Sequence, residues 1–370
     1  MKITEIKTFL VNANDRKTAE RPRGRNWLFV KIMTDEGIYG VGEGGGWPAV
    51  AEKGIQEVAP ILIGETPFDI ERLWLKVYDF LHGHGLTGSV RGGVISALDV
   101  ALYDIKGKAL GVPVYELIGG KVRDKVRIYA HASTADYAKK LIDRGYTAFK
   151  CAPSAKVLAD LRKAVGYEVE IGVHCHGEFS PGGALKLGKA IEPYEPAFFE
   201  EPTNPDDIDA MVWLSERLAV PLASGERLFS KWAFRELLTR RCIEIAQPET
   251  TRLGGITEGN KLASMAEAFS VKIAPHDGSV GPVIEMANIH LLAASPNAIY
   301  LEHKADDVPW RHEVASGIIP EEGGFFAVPE KPGLGIHLDE DAMAEHPAYA
   351  VDEMTYSFRT PEQMQKTSWR

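Results

Sequence analysis

The chain has 370 residues, 45% hydrophobic and 25% charged, with a formal net charge of -10. That much apolar material can fill a large core spread over more than one structural unit, and the acidic balance excludes nucleic acid and anionic membrane surfaces as main partners. No apolar run approaches the ~18 residues of a membrane span, the opening MKITEIKTFLV alternates as a strand does, and three cysteines without CxxC spacing predict reduced thiols, so a cytoplasmic enzyme is expected.

In chain order, KITEIKTFLV and NWLFVKIMTDEGIYGVGEG read as extended segments. The DEG at 35–37 supplies a hairpin turn whose arms carry Phe29, Ile32, Ile38 and Val41. SALDVALYDIKGKALG then sets Leu98, Ala101, Leu102, Ile105 and Ala109 at three-to-four-residue steps and stops at Gly111, which predicts a helix with one apolar face. Strands followed by helices make an α+β unit of about the first 120 residues.

The remainder has a different rhythm. Eight short apolar runs each end at a polar residue: VRIYAHAS, YTAFK, VEIGVHCH, PAFFEE, VPLASGE, IEIAQPE, VKIAPHD and AIYLEH. From Lys150 through His174, Glu200, Glu226, Glu249 and His276 to Glu302 the steps are 23 to 27 residues, and each leaves room for one helix. Eight such units describe a TIM-type (β/α)8 barrel, whose reactive side chains sit at the C-terminal ends of the strands.

Such a mouth suits proton removal next to a carboxylate. That proton is weakly acidic, so a side-chain base takes it only if positive charge holds the resulting enediolate. Glu200 and Glu226, on neighbouring runs, fit a hard cation such as Mg2+. His276 fits the base, with Glu249 one strand away to accept a hydrogen bond from its second ring nitrogen.

The segments ISALDVALYDIKGKALG, FFEEP, SGERLFSKWAFRELL, QPETTRLGGITE and IAPHDG together resemble the enolase superfamily, mandelate racemase subgroup, and most of all its acid-sugar dehydratases of the galactonate dehydratase type. The resemblance implies a modified (β/α)7β barrel at 123–320 beneath an α+β capping domain at 1–122, with a segment at 321–370 returning to the cap. It implies metal ligands at His174, Glu200 and Glu226, a base dyad of His276 and Glu249, His176 as general acid on a departing hydroxyl, and Glu302 at the substrate carboxylate. Lys150 keeps one position of a Lys-x-Lys pattern. An early loop of the cap closes over the barrel in such proteins; here it is NDRKTAERPRGRN, with five basic residues between Arg16 and Arg25. Arg16, Arg23 and Arg25, with Trp47 and the loop histidines His82 and His84, form the candidate substrate-binding set.

Three departures bear on chemistry. His174 stands where the family ordinarily has aspartate, which removes one charge from a Mg2+ site and favours Mn2+, Fe2+ or Zn2+. Ala152 stands where the racemases carry a second lysine base, so one-base elimination is favoured over racemisation. The 19-residue step from His131 to Lys150 is short, with a trimmed following loop. The expected activity is dehydration of an aldonate-type sugar acid to a 2-keto-3-deoxy acid. Epimerisation or cycloisomerisation, and a catalytically impaired member with a binding or regulatory role, are the alternatives. By the same resemblance a homo-oligomer, dimer to octamer, is expected.

Overall fold

The structure, a computed structural model, describes residues 1–14 and 25–349. Strands β1 (Ile3–Asn12), β2 (Asn26–Thr34) and β3 (Tyr39–Gly44) form an antiparallel meander, with Phe29 opposite Phe9 on one side and Glu43 on the other. Gly37 makes the expected turn at φ 77°, a conformation that favours glycine. Helices α1 (Pro48–Leu62), α2 (Ile70–Gly83) and α3 (Gly88–Leu110) cover this sheet, and α3 ends at Gly111 with φ 71°.

The expectation for α3 needs correcting. It is buried on nearly every side, because it runs between the sheet and the rest of the molecule. Its approach to β3 is backbone on backbone: a Cβ at Gly42 would lie 1.9 Å from Ala97 O. Its polar side chains are satisfied across the seams. Asp99 accepts from Thr257 N (3.0 Å) and Oγ1 (2.6 Å), Ser96 Oγ accepts from Gly254 N and Gly255 N, and Asp104 accepts from Val41 N, Leu334 N and Lys108. Buried polar groups are tolerated when paired in this way.

Eight parallel strands follow: β4 (Lys125–His131), β5 (Ala148–Cys151), β6 (Glu170–His174), β7 (Phe199–Glu200), β8 (Leu222–Ser224), β9 (Ile245–Ala246), β10 (Lys272–Ile273) and β11 (Leu301–Glu302). Each pairs with the next, β10 reaches the last through an Ile273 to Ala298 bridge, and β11 returns to β4 at Ile128 and Tyr129, closing a barrel. Helices occupy the seven crossovers, several started by side-chain caps such as Ser154, Ser180 and Asp207. Among the described residues β11 is followed by a short 3-10 turn and a hairpin, whose arm Phe325–Ala327 pairs antiparallel with β4, in place of an eighth barrel helix of ordinary length.

Tyr129, Ala148, Phe198, Ala223, Ile245, Ala274 and Tyr300 pack together as a separate buried layer contributed by the barrel strands. Gly172 makes room there, since a Cβ on it would strike the Phe198 ring. Near the C-terminus, Pro347 bridges to Val11 and Glu340 pairs with Lys31 at 2.6 Å. Cys151, Cys175 and Cys242 are buried and unbridged. No helix among the described residues is long and apolar enough to cross a membrane.

Candidate active site

The strand register brings seven of the expected polar residues into one buried cluster. His131 lies opposite Lys150, and His174 opposite Glu200, because parallel strands in register stack their ends. Lys150 Nζ bridges Glu200 Oε1 at 3.1 Å and Glu302 Oε1 at 2.9 Å. Burial alone would lower the ammonium's pKa, but the charges of Glu200 and Glu302 outweigh it and raise it.

His276 sits among three carboxylates. Its Nδ1 lies 2.9 Å from Glu249 Oε2, and its Nε2 lies 2.9 Å from Glu226 Oε2 and 3.8 Å from Glu302 Oε2. Burial pulls its pKa down, yet the attraction of Glu226 and Glu302 prevails and holds the ring protonated well above the ordinary range. Glu226 Oε2 is buried, and its polar contact is this 2.9 Å ion pair with the His276 ring.

His174 Nδ1 lies 2.7 Å from Glu200 Oε1, and its Nε2 lies 3.1 Å from Nε2 of His176. The two rings meet edge to face with centroids 4.1 Å apart. Burial and the neighbouring His174 push His176 down to about 4. The same pair of strand positions, i and i+2, therefore delivers both imidazoles to one face as alternation requires.

Five further residues complete the site. Gln247 Nε2 donates to Glu200 Oε2 at 3.0 Å, Thr251 Oγ1 donates to Glu249 Oε1, and Arg252 Nε lies 2.9 Å from the same oxygen. Arg227 joins Glu201 (2.6 Å) to Glu226 (3.3 Å). Burial and the charge of Glu226 raise Glu201 to about 8. Gln247 had a signal in the sequence: it stands two residues before Glu249, directly after the apolar run that ends at Ala246. Arg227 directly follows Glu226, a position where alternation points away, and only the loop's course brings it back.

The expected substrate-binding set is dispersed. Arg16 and Arg23 lie outside the described residues. Arg25 grips Asp307 with two bonds of 2.7 and 3.0 Å and donates to the carbonyls of Ala13, Ser279 and Val280. Its guanidinium is spent on tying the end of the early loop to the segment after His276, which differs from the expected contact with a ligand. His82 stacks on Tyr78 (5.5 Å) beside Arg91, and His84 contacts Phe80 O at 2.8 Å, so both serve local packing on α2. Trp47 is 56% exposed and starts α1. Two residues earlier, Gly45 abuts Thr251 and Glu249, which puts this turn beside the His276 dyad.

Among the described residues no three His, Cys, Asp or Glu side chains already surround one point as ligands of an ion. The donor set nonetheless suits a divalent cation: two carboxylates and an imidazole at three consecutive strand ends, with Glu226 Oε2 buried against the His276 ring. Glu226, the largest influence raising the His276 pKa against burial, is one of the carboxylates whose charge such a cation would offset.

Residues 8–119 match the model of the mandelate racemase / muconate lactonizing enzyme N-terminal domain, and residues 133–342 match that of the enolase C-terminal domain-like family. A D-galactonate dehydratase of Pectobacterium atrosepticum is 34% identical over 98% of this chain and 98% of its own. A D-xylonate dehydratase of Haloferax volcanii is 32% identical over 93% and 88%. Among solved structures, an enolase from Pantoea ananatis with bound d-gluconate and Mg is 28% identical, with a TM-score of 0.85 over 94% of each chain. The chain belongs to the enolase superfamily, in its mandelate racemase and muconate lactonizing enzyme family.

Proposed function

We propose that this protein is a divalent-metal-dependent dehydratase of an aldonate-type sugar acid, galactonate- or gluconate-like. The observation that carries the reading is the His276 and Glu249 dyad, held at 2.9 Å in the same cluster as Lys150, Glu302 and the paired His174 and His176. The activities named for the galactonate and xylonate relatives, and the gluconate and Mg of the Pantoea structure, support the substrate class.

In this mechanism His276 removes the C2 proton through Nε2 while Glu249 fixes the ring through Nδ1. His174, Glu200 and Glu226 would hold the ion, Mg2+ as in the relative or Mn2+ or another divalent metal that tolerates the imidazole. Bound there, it supplies the positive charge that an enediolate requires. Glu302 and Lys150 orient the substrate carboxylate, and His176 gives a proton to the leaving 3-hydroxyl. Loss of water leaves an enol that becomes the 2-keto-3-deoxy acid. Ala152 offers no second base, which favours elimination over inversion.

The unit 1–122 acts as the cap, 123–320 as the barrel and 321–370 as the returning segment. The pairing of Pro347 with Val11 supports that return. A cytoplasmic setting agrees with three buried, unbridged thiols. Self-association, dimer to octamer, completes the reading, and a monomeric mass in solution would remove that part. The test of activity is incubation with Mg2+ or Mn2+ and galactonate, gluconate or xylonate, followed by assay of 2-keto acid. Formation from one stereoisomer is expected, and folded protein that converts none of a full aldonate panel would contradict the proposal.

A further inference from the structure

We propose that His174 and His176 form a two-nitrogen chelate for a borderline transition-metal ion such as Cu2+, Ni2+ or Zn2+, a site that shares His174 with the hard-cation site proposed above but draws its second donor from His176 instead of from carboxylates. Glu200, as a carboxylate, accepts only, so His174 Nδ1 carries the hydrogen across the 2.7 Å contact. The lone pair of His174 is thereby on Nε2. In this tautomer His176 Nε2–H donates to it at 3.1 Å, and an ion bound to both nitrogens takes the place of that hydrogen.

That spacing is what one ion requires. Two nitrogens bonded to an ion at ~2.1 Å sit ~3.0 Å apart on the edge of an octahedron and ~3.4 Å apart on that of a tetrahedron. The observed 3.1 Å lies between the two. A metal-bound histidine ordinarily gives its other ring N–H to a carboxylate, which fixes the tautomer, and Glu200 already stands in that place. The backbone that carries the second imidazole is also fixed: the His176 backbone N–H donates to Glu178 at 2.6 Å, and Gly177, at φ 69°, donates to Glu201 O. Imidazole pairs select the later first-row ions over Mg2+, and water or a ligand fills the remaining positions.

Electron paramagnetic resonance of the full-length protein titrated with Cu2+, without substrate, tests this directly. The spectrum should show nitrogen superhyperfine structure from two equatorial imidazoles. His176→Gln should reduce it to one nitrogen and weaken Cu2+ binding at least ~10-fold, while His131→Gln, one strand away, should leave both unchanged. Should His176→Gln keep two nitrogens and the parent affinity, or the parent protein show fewer than two, the chelate does not exist. His174→Gln provides a second arm with the same expected loss. Because the readout needs neither turnover nor Mg2+, its failure is distinct from failure of the dehydratase reading.

Discussion

Nδ1 of His276 and Oε2 of Glu249 meet at 2.9 Å, which leaves Nε2 of the same ring turned toward Glu226 and Glu302. One ring edge is fixed and the other faces the carboxylate cluster. Replacing Glu249 by Gln keeps the shape but removes the charge that orients and stabilises the ring. We expect kcat to fall by roughly 10²- to 10⁴-fold with little change in KM. Steady-state kinetics on the converted aldonate checks this, and a loss confined to KM would contradict it.

Lys150 is the counterion of two buried carboxylates, so its removal should be a stability lesion as well as a catalytic one. With Lys150→Met, Glu200 and Glu302 lose their shared ammonium, and breaking a buried ion pair on one side costs roughly 3–5 kcal/mol. Urea unfolding of parent and variant at neutral pH measures it. A cost below about 1 kcal/mol would mean that His174, Gln247 and the Asp277 backbone N–H suffice to hold both acids.

The close approach of α3 to β3 gives a paired test on glycines. Gly42→Ala places a methyl 1.9 Å from Ala97 O and should destabilise by roughly 3 kcal/mol or more, because backbone must move. Gly182→Ala, in the first turn of the helix after β6, meets nothing within 4 Å and should be neutral or stabilising by about 0.5–1 kcal/mol. Equal effects at the two positions would show that the packing of α3 is looser than described.

His290 should tilt the pH dependence of stability. Buried, it accepts from Tyr115 N through Nδ1 and donates through Nε2 to Leu334 O, so a second proton has nowhere to go. Burial lowers its pKa to about 4, against an ordinary value near 6.5 in the unfolded chain. The folded state thus refuses a proton that the unfolded state accepts. Its contribution is intact above pH ~6.5 and is lost as pH falls toward 4, by roughly 3 kcal/mol at most. His290→Gln should flatten the stability profile over that window, as read by denaturation at a series of pH values. An unchanged slope would remove His290 as a contributor.

The barrel was legible because each strand is a short β-branched or aromatic run closed by a polar residue, and the repeat length left room for one helix. The seven expected strand-end residues meet in the structure for that reason. Burial around α3 was not legible: its periodicity shows one apolar face, whereas the glycines of β3 and the pairing of Asp99 with Thr257 arise from segments far away in the chain. Arg25 was read by charge alone. Its partner Asp307 lies 282 positions on, and nothing local announces that pair. His174 illustrates a third case, in which the residue type was plain but its contacts, Glu200 on one nitrogen and His176 on the other, required the fold.

The most direct test of the central claim is proton NMR in D2O of the converted aldonate with the parent protein and with His276→Asn. The parent should consume the C2 proton signal and yield a 2-keto-3-deoxy acid carrying deuterium at C3, while His276→Asn, equally folded, should give neither product nor exchange at C2. Undiminished product or C2 exchange in His276→Asn would contradict the assignment of His276 as the base.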